Sequence, residues 1–170
     1  MVDRLTPDQR RLNMSRVRAK DTRPEMTVRG LLHRLGFRYR LHRRDLPGRP
    51  DIALPRYRAA IFVHGCFWHG HNCSLFRMPA TRTEFWAAKI ATNRGRDTDA
   101  IGGLRRAGWR SLWVWECALR GRGRLPPDTL ADSISAFIVG DAAFAEIGEI
   151  GPANHDGSRS DEGSRSEQRT

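Results

Sequence analysis

Asp51-Ile52-Ala53-Leu54-Pro55-Arg56-Tyr57-Arg58-Ala59-Ala60-Ile61-Phe62-Val63-His64-Gly65-Cys66-Phe67-Trp68-His69-Gly70-His71-Asn72-Cys73 is the stretch on which the reading of this chain turns. Residues 51–54 and 59–63 are short apolar runs, and Pro55-Arg56-Tyr57-Arg58 between them has turn chemistry, so the pattern predicts two joined strands. Directly after the second strand, the ten residues from His64 to Cys73 hold two thiols and three imidazoles. The remaining thiol, Cys117, follows another predicted strand at 111–115. A structural Zn²⁺ takes four nitrogen or sulfur ligands in a closed tetrahedron, whereas a catalytic one keeps a position open. Cys66, His71, Cys73 and Cys117 supply the closed set with no thiol left over. The ordinary alternative, three small buried hydrophobes, does not account for the interleaved histidines. His69 is left without a ligand task, in a Gly-rich loop beside the exposed-looking aromatics Phe67 and Trp68.

Working outward, Thr22-Arg23-Pro24-Glu25 reads as a helix start, with Thr22 as N-cap, Pro24 in the first turn and Glu25 placed for a capping box. Met26, Val28, Leu31, Leu32 and Leu35 form its apolar stripe, and Gly36 its stop. Residues 37–41 alternate as a strand. Thr81-Arg82-Thr83-Glu84 reads as a second helix start, leading through Phe85, Trp86 and Ile90 to about Ala107, where Gly108 ends it. Residues 111–115 read as a buried strand, with Trp109, Trp113 and Trp115 in the core. Residues 127–139 are a last helix with Leu130, Ile134, Phe137 and Ile138 on one face. The order α-β-β-β-α-β-α implies an α/β fold, a mixed sheet covered by helices. Residues 1–11 read as a flexible arm, 12–140 as one domain, and 151–170, which lack any large apolar side chain, as a disordered polar tail.

The formal charge is +11, from 30 Lys+Arg against 19 Asp+Glu, and only Lys20 and Lys89 are lysines. Such a surplus is the footprint of a polyanion partner, or simply a solvated basic face. No apolar run nears the ~18 residues of a membrane span, and no secretory leader is visible. The expectation is therefore a cytoplasmic protein with reduced thiols, which favours metal over disulfide.

Asp51 opens one strand, and its neighbour ends at Val63-His64. A carboxylate and a backbone carbonyl brought together there can hold Mg²⁺, which needs few protein ligands; the competing reading is a turn carboxylate. For Glu25 the capping box suffices, and for His64 a satisfied core position is the commoner case. His69, by contrast, could exchange a proton with a water. Phe67, Trp68 and Trp86 are either core or surfaces that stack on bases.

Five separated motifs then carry a resemblance. They are Asn13-Met14-Ser15-Arg16 with Lys20-Asp21-Thr22, Leu46-Pro47-Gly48-Arg49-Pro50-Asp51, the run His64-Gly65-Cys66-Phe67-Trp68-His69 with His71 and Cys73, Pro79-Ala80-Thr81-Arg82-Thr83-Glu84-Phe85-Trp86, and Trp113-Val114-Trp115-Glu116-Cys117-Ala118-Leu119. Over residues 13–119 the chain closely resembles the very-short-patch repair (Vsr) endonucleases of bacteria, with weaker similarity to about residue 139.

The resemblance implies a restriction-endonuclease-like fold, a structural zinc, and Mg²⁺-dependent nicking of double-stranded DNA. The cut would fall 5′ of the mismatched thymine in a T:G mismatch left by deamination of 5-methylcytosine. It implies that Asp51 and the Val63 carbonyl bind Mg²⁺, that His69 acts as base, and that Glu25 and His64 support the site. Phe67, Trp68 and Trp86 would wedge into the duplex, Met14 would approach from the other groove, and Lys89 and Asn93 would contact DNA. It further implies a monomer, functionally linked to a cytosine-5 DNA methyltransferase and to mismatch-repair proteins. The general nuclease pattern of an acid followed two residues later by lysine is replaced here by Phe62 and His64. Val63 stands where the family commonly has a hydroxyl residue, which a carbonyl ligand tolerates. A zinc DNA-binding module without catalysis is the competing class, and Mg²⁺-dependent nicking separates the two.

Overall fold

The computed structural model describes Gln9 and residues 20–149. Met14, the 1–11 arm apart from Gln9, and the 151–170 tail lie outside the described residues.

Five strands form one mixed sheet in the order β1-β2-β3-β4-β5. Strands β1 (Arg40–Leu41), β2 (Ile52–Leu54) and β3 (Ala59–His64) are antiparallel neighbours, while β4 (Arg110–Trp115) and β5 (Phe144–Ile147) continue the sheet in parallel. The β3–β4 crossover contains the long helix α3 (Thr83–Arg106), preceded by one helical turn, α2 (Cys66–His69). Helix α1 (Arg23–Arg34) precedes the sheet, and the short α4 (Glu116–Leu119) and α5 (Pro127–Val139) lie between β4 and β5.

The period of two along the strands divides the core into two layers. Ile52, Leu54, Ile61, Leu112 and Val114 face Val28, Leu31 and Leu32 of α1 and Leu130, Ile134, Phe137 and Ile138 of α5. Ala53, Ala60 and Phe62 point the other way, against Ala100 and Leu104 of α3. Burial on both faces explains why β2 and β3 read as continuous apolar runs rather than as alternating ones. Emptying a fully buried site such as Leu32 or Ile134 costs roughly 2–5 kcal/mol.

The mixed sheet flanked by helices is the fold the sequence implied, with four differences. Of residues 37–41 only Arg40 and Leu41 pair with β2, and Phe37 instead packs edge-on against Tyr57. Met26 and Leu35 are exposed, because the core-facing stripe of α1 is Val28, Leu31 and Leu32 alone. Trp115 is buried, whereas Trp109 and Trp113 are only partly so, lying beside the α3 face of the sheet. Strand β5 was not anticipated: Phe-Ala-Glu-Ile is short and half exposed, and its pairing with β4 fixes it.

Candidate active site and metal centre

The hairpin register sets Ile52 opposite Ile61, so Asp51 lies at the end of β3, and its Oδ2 accepts the Val63 N–H at 2.8 Å. Burial pushes the Asp51 carboxyl up to about 6, against the lowering effect of the Val63 hydrogen bond and with a further push from the charge of Glu25. A buried carboxyl that resists ionisation in this way is short of a positive partner. That is the donor chemistry a hard cation satisfies.

Glu25 is buried, and its carboxylate accepts from the Asp21 N–H (3.1 Å), the Thr22 hydroxyl (3.0 Å) and Arg29 (2.8 Å). Thr22 caps α1 as expected, accepting from the Glu25 N–H at 3.3 Å. The reciprocal half of the box takes the Asp21 backbone N–H rather than that of Thr22, and Arg29 holds Glu25 and Asp21 together.

His64 departs from a satisfied core histidine: its ring is buried beside Phe62, Trp113 and Trp115, yet Nε2 has no hydrogen-bond partner. Burial, with the neighbouring His69, pulls its pKa down to about 3, so the ring is neutral. His69 lies 4.1 Å away, centroid to centroid.

His69 sits not in a loop but on the α2 turn, which ends at Gly70 with φ +60. A side chain there would be strained and would place its Cβ 2.7 Å from Ile90 of α3, so glycine permits the close contact of the two helices. Helix α3 presents Trp86, Ile90, Asn93, Asp97, Ala100 and Leu104 at spacings of three and four, the less exposed stripe of an otherwise polar helix. From that stripe Asp97 Oδ2 meets His69 Nδ1 at 2.5 Å, with the two side chains only 14% and 17% exposed. A carboxylate on Nδ1 fixes the tautomer that leaves the lone pair on Nε2. Asn93 donates to the Trp68 carbonyl at 2.8 Å. Phe67 and Trp68 turn partly inward and meet Trp86, with centroid separations of 5.1 Å for Phe67–Trp86, 5.2 Å for Phe67–Trp68 and 6.2 Å for Trp68–Trp86.

Behind α2, one donor atom from each of Cys66, His71, Cys73 and Cys117 lies within 4.8 Å of the others. A tetrahedral Zn–thiolate site has sulfur–sulfur edges of about 3.8 Å, so the set can hold one ion after a small contraction. All three cysteines are free thiols. The Cys66 and Cys117 thiols face each other closely enough to share a proton, which raises the Cys66 pKa and lowers that of Cys117.

A cleft of about 1410 Å³ gathers Glu25, Asp51, Val63, His64, His69, Phe67, Trp68 and Asn93. Trp86 contacts its aromatic wall, and Lys89 is exposed on α3 nearby. Asp97 also lines the cleft, and the sequence reading missed it. Its signal was an acid on the inward stripe of a helix, between Ile90 and Leu104.

Acid, histidine–carboxylate pair and aromatic stack, on a chain of net charge +11, define an enzyme that works on nucleic acid. A family model described as "DNA mismatch endonuclease Vsr" matches residues 2–75. The type II nicking enzyme V.XorIIP of Xanthomonas oryzae pv. oryzae is 52% identical over 125 residues, 74% of this chain and 92% of its own. The DNA mismatch endonuclease Vsr of Escherichia coli K12 is 47% identical over 135 residues, 79% of this chain and 86% of its own. The homing endonuclease I-Bth0305I catalytic domain aligns over 71% of this chain and 100% of its own, with TM-score 0.48 and 20% identity. The chain belongs to the Vsr family of DNA mismatch endonucleases and is a nuclease acting on DNA. No helix among the described residues is long and apolar enough to cross a membrane.

Proposed function

We propose that this endonuclease nicks duplex DNA on the 5′ side of the mismatched thymine at T:G mismatches, with Mg²⁺ as catalytic cofactor and Zn²⁺ as structural metal. One observation carries the reading: Asp51, the His69–Asp97 pair and the aromatic stack share a single cleft.

Asp51 and the Val63 carbonyl would hold Mg²⁺, which supplies charge neutralisation at the phosphate and a more acidic water. His69 takes the proton of the attacking water through Nε2, while Asp97 on Nδ1 steadies the imidazolium that forms. His64, neutral and with Nε2 unpartnered, is placed to donate to or accept from a group entering the cleft. Glu25, fixed by Arg29 and the α1 start, keeps negative charge near Asp51 and supports the cation site. Cys66, His71, Cys73 and Cys117 would hold zinc in a closed set that anchors α2.

Phe67, Trp68 and Trp86 wedge between base steps beside the lesion, where stacking is already weakened, with Met14 entering from the opposite groove. Lys89 contacts a phosphate. Asn93 acts near the lesion, with its amide already bonded to the Trp68 carbonyl, so it also steadies the wedge. The protein works as a cytoplasmic monomer, in concert with a cytosine-5 methyltransferase and mismatch-repair proteins.

The test is a nicking assay on otherwise identical T:G and T:A duplexes, with and without Mg²⁺. A single 5′ nick confined to the T:G duplex and dependent on Mg²⁺ is expected. Equal cutting of both duplexes, or binding without cutting, refutes the reading.

A further inference from the structure

The segment that follows β5 closes on the Cys/His cluster from outside. The Glu149 backbone N–H donates to Cys117 Sγ at 3.3 Å. Its carboxylate accepts both the Ser74 N–H, at 2.7 Å, and the Ser74 hydroxyl, and Ser74 directly follows Cys73. Gly148 lies against the third ligand, for a Cβ there would sit 3.3 Å from His71 Cε1. The His71 ring stacks on Trp115 at 4.1 Å and 12°, and the Trp115 indole N–H donates to Glu146 Oε2 at 3.0 Å. Two segments far apart in sequence thus meet at the cluster: residues 66–74, which follow β3 and carry Cys66, His71 and Cys73, and residues 146–149, which run off the end of β5, an edge strand of the sheet.

Groups of this kind orient and tune metal ligands. An N–H donated to a thiolate offsets part of its negative charge, and a carboxylate gripping the residue beside a ligand holds that ligand in place. We infer that residues 146–149 are a clasp for the zinc site, with Glu149 as a positioning residue through Cys117 and Ser74, so that zinc retention and docking of the β5 end are coupled. This rests on the zinc reading above. Because coupling is reciprocal, loss of the clasp loosens the metal, and loss of the metal frees the clasp.

The experiment uses the full chain. Zinc content is measured first, followed by the rate of zinc transfer to an excess chromogenic chelator for wild type, Glu149→Ala, Ser74→Ala and Glu149→Gln. Backbone hydrogen exchange over residues 144–149 is compared in zinc-loaded and zinc-stripped protein. Wild type should carry one zinc. Glu149→Ala should release it about 10–100-fold faster, the range usual when support around metal ligands is lost, and Ser74→Ala, which keeps its backbone N–H for the carboxylate, should speed release by a smaller factor. Glu149→Gln, which keeps an acceptor for the Ser74 N–H, should fall between, and protection of residues 144–149 should drop on zinc removal. A surface contact unrelated to the metal would change neither release nor protection. Zinc-bearing wild type with wild-type release from both alanine variants, or protection indifferent to zinc, overturns the clasp alone. Wild type purified without zinc overturns the zinc reading together with the clasp.

Discussion

Asp51→Asn should stabilise the protein while abolishing cleavage. The carboxyl rises from an ordinary 3.8 to about 6 in the folded chain, chiefly because burial disfavours its charge. Between those two values the folded state holds a proton that the unfolded state has released, so wild-type stability falls as pH rises from about 4 to about 6. A gap of about 2 pH units at about 1.4 kcal/mol each gives a penalty of about 3 kcal/mol, complete above pH 6. Asparagine keeps an oxygen to accept the Val63 N–H, now at 2.8 Å from the carboxylate, and carries no charge to desolvate. Urea unfolding of both proteins from pH 4 to 8, without added Mg²⁺, reads the difference, and the other carboxylates cancel in it. The variant's advantage should be near zero at pH 4 and grow to about 3 kcal/mol by pH 7. Adding Mg²⁺ should recover stability only in the wild type, by about 2.7 kcal/mol at a hundred times its dissociation constant. An advantage that is absent at pH 7, or that does not change with pH, refutes the claim that Asp51 is a desolvated carboxylate awaiting a cation.

Asp97→Asn should leave mismatch binding intact and lower the single-turnover nicking rate by roughly 10²–10⁴, the range of a lost general base; an unchanged rate removes Asp97 from the proposed dyad. Cys117→Ser should lose zinc, whose binding is worth on the order of 10 kcal/mol in small zinc domains, and metal analysis showing full occupancy would refute the ligand set. Trp68→Ala should shrink the affinity gap between T:G and T:A duplexes while the salt dependence of binding, set by phosphate contacts, stays as it was. If a salt series instead shows a changed slope with the gap intact, the wedge assignment fails.

The parts of this fold that were legible in the sequence are those where a local pattern and its tertiary use coincide. Residues 127–139 carry a helical stripe whose four apolar members, Leu130, Ile134, Phe137 and Ile138, are the ones buried. Residues 51–64 show two strands separated by a Pro-led turn, and the structure makes that turn a 3₁₀ segment closed by Arg58 in the left-handed region. The Cys/His set could be grouped because thiols are few and metal stoichiometry is strict. What escaped depends on partners remote in the chain. Residues 144–147 have no strand pattern of their own and become β5 by pairing with residues 111–114. Asp97 looks like one more charge on a polar helix until Gly70 lets α2 approach and His69 meets it, 28 positions away. The unpartnered Nε2 of His64 is a property of the four aromatic rings around it, which no local window contains.

On the proposed reading, helix α2 would bring lesion reading and cutting into one short segment. Four consecutive residues supply a Cys/His-cluster thiol (Cys66), two rings of the proposed wedge (Phe67 and Trp68) and the proposed base (His69). A helix of four residues has no stability of its own, since nucleation alone is unfavourable. Its geometry is imposed from three sides. The Cys/His cluster fixes its first residue, Asn93 holds the Trp68 carbonyl, and Asp97 holds the His69 ring. Two of those three supports come from α3, which also carries Trp86, so the wedge and the histidine are referred to one rigid helix rather than to two loops. On the proposed reading, insertion of the aromatics at a weakened base step would set the distance from the lesion to His69, and the position of the cut would follow from α2 itself.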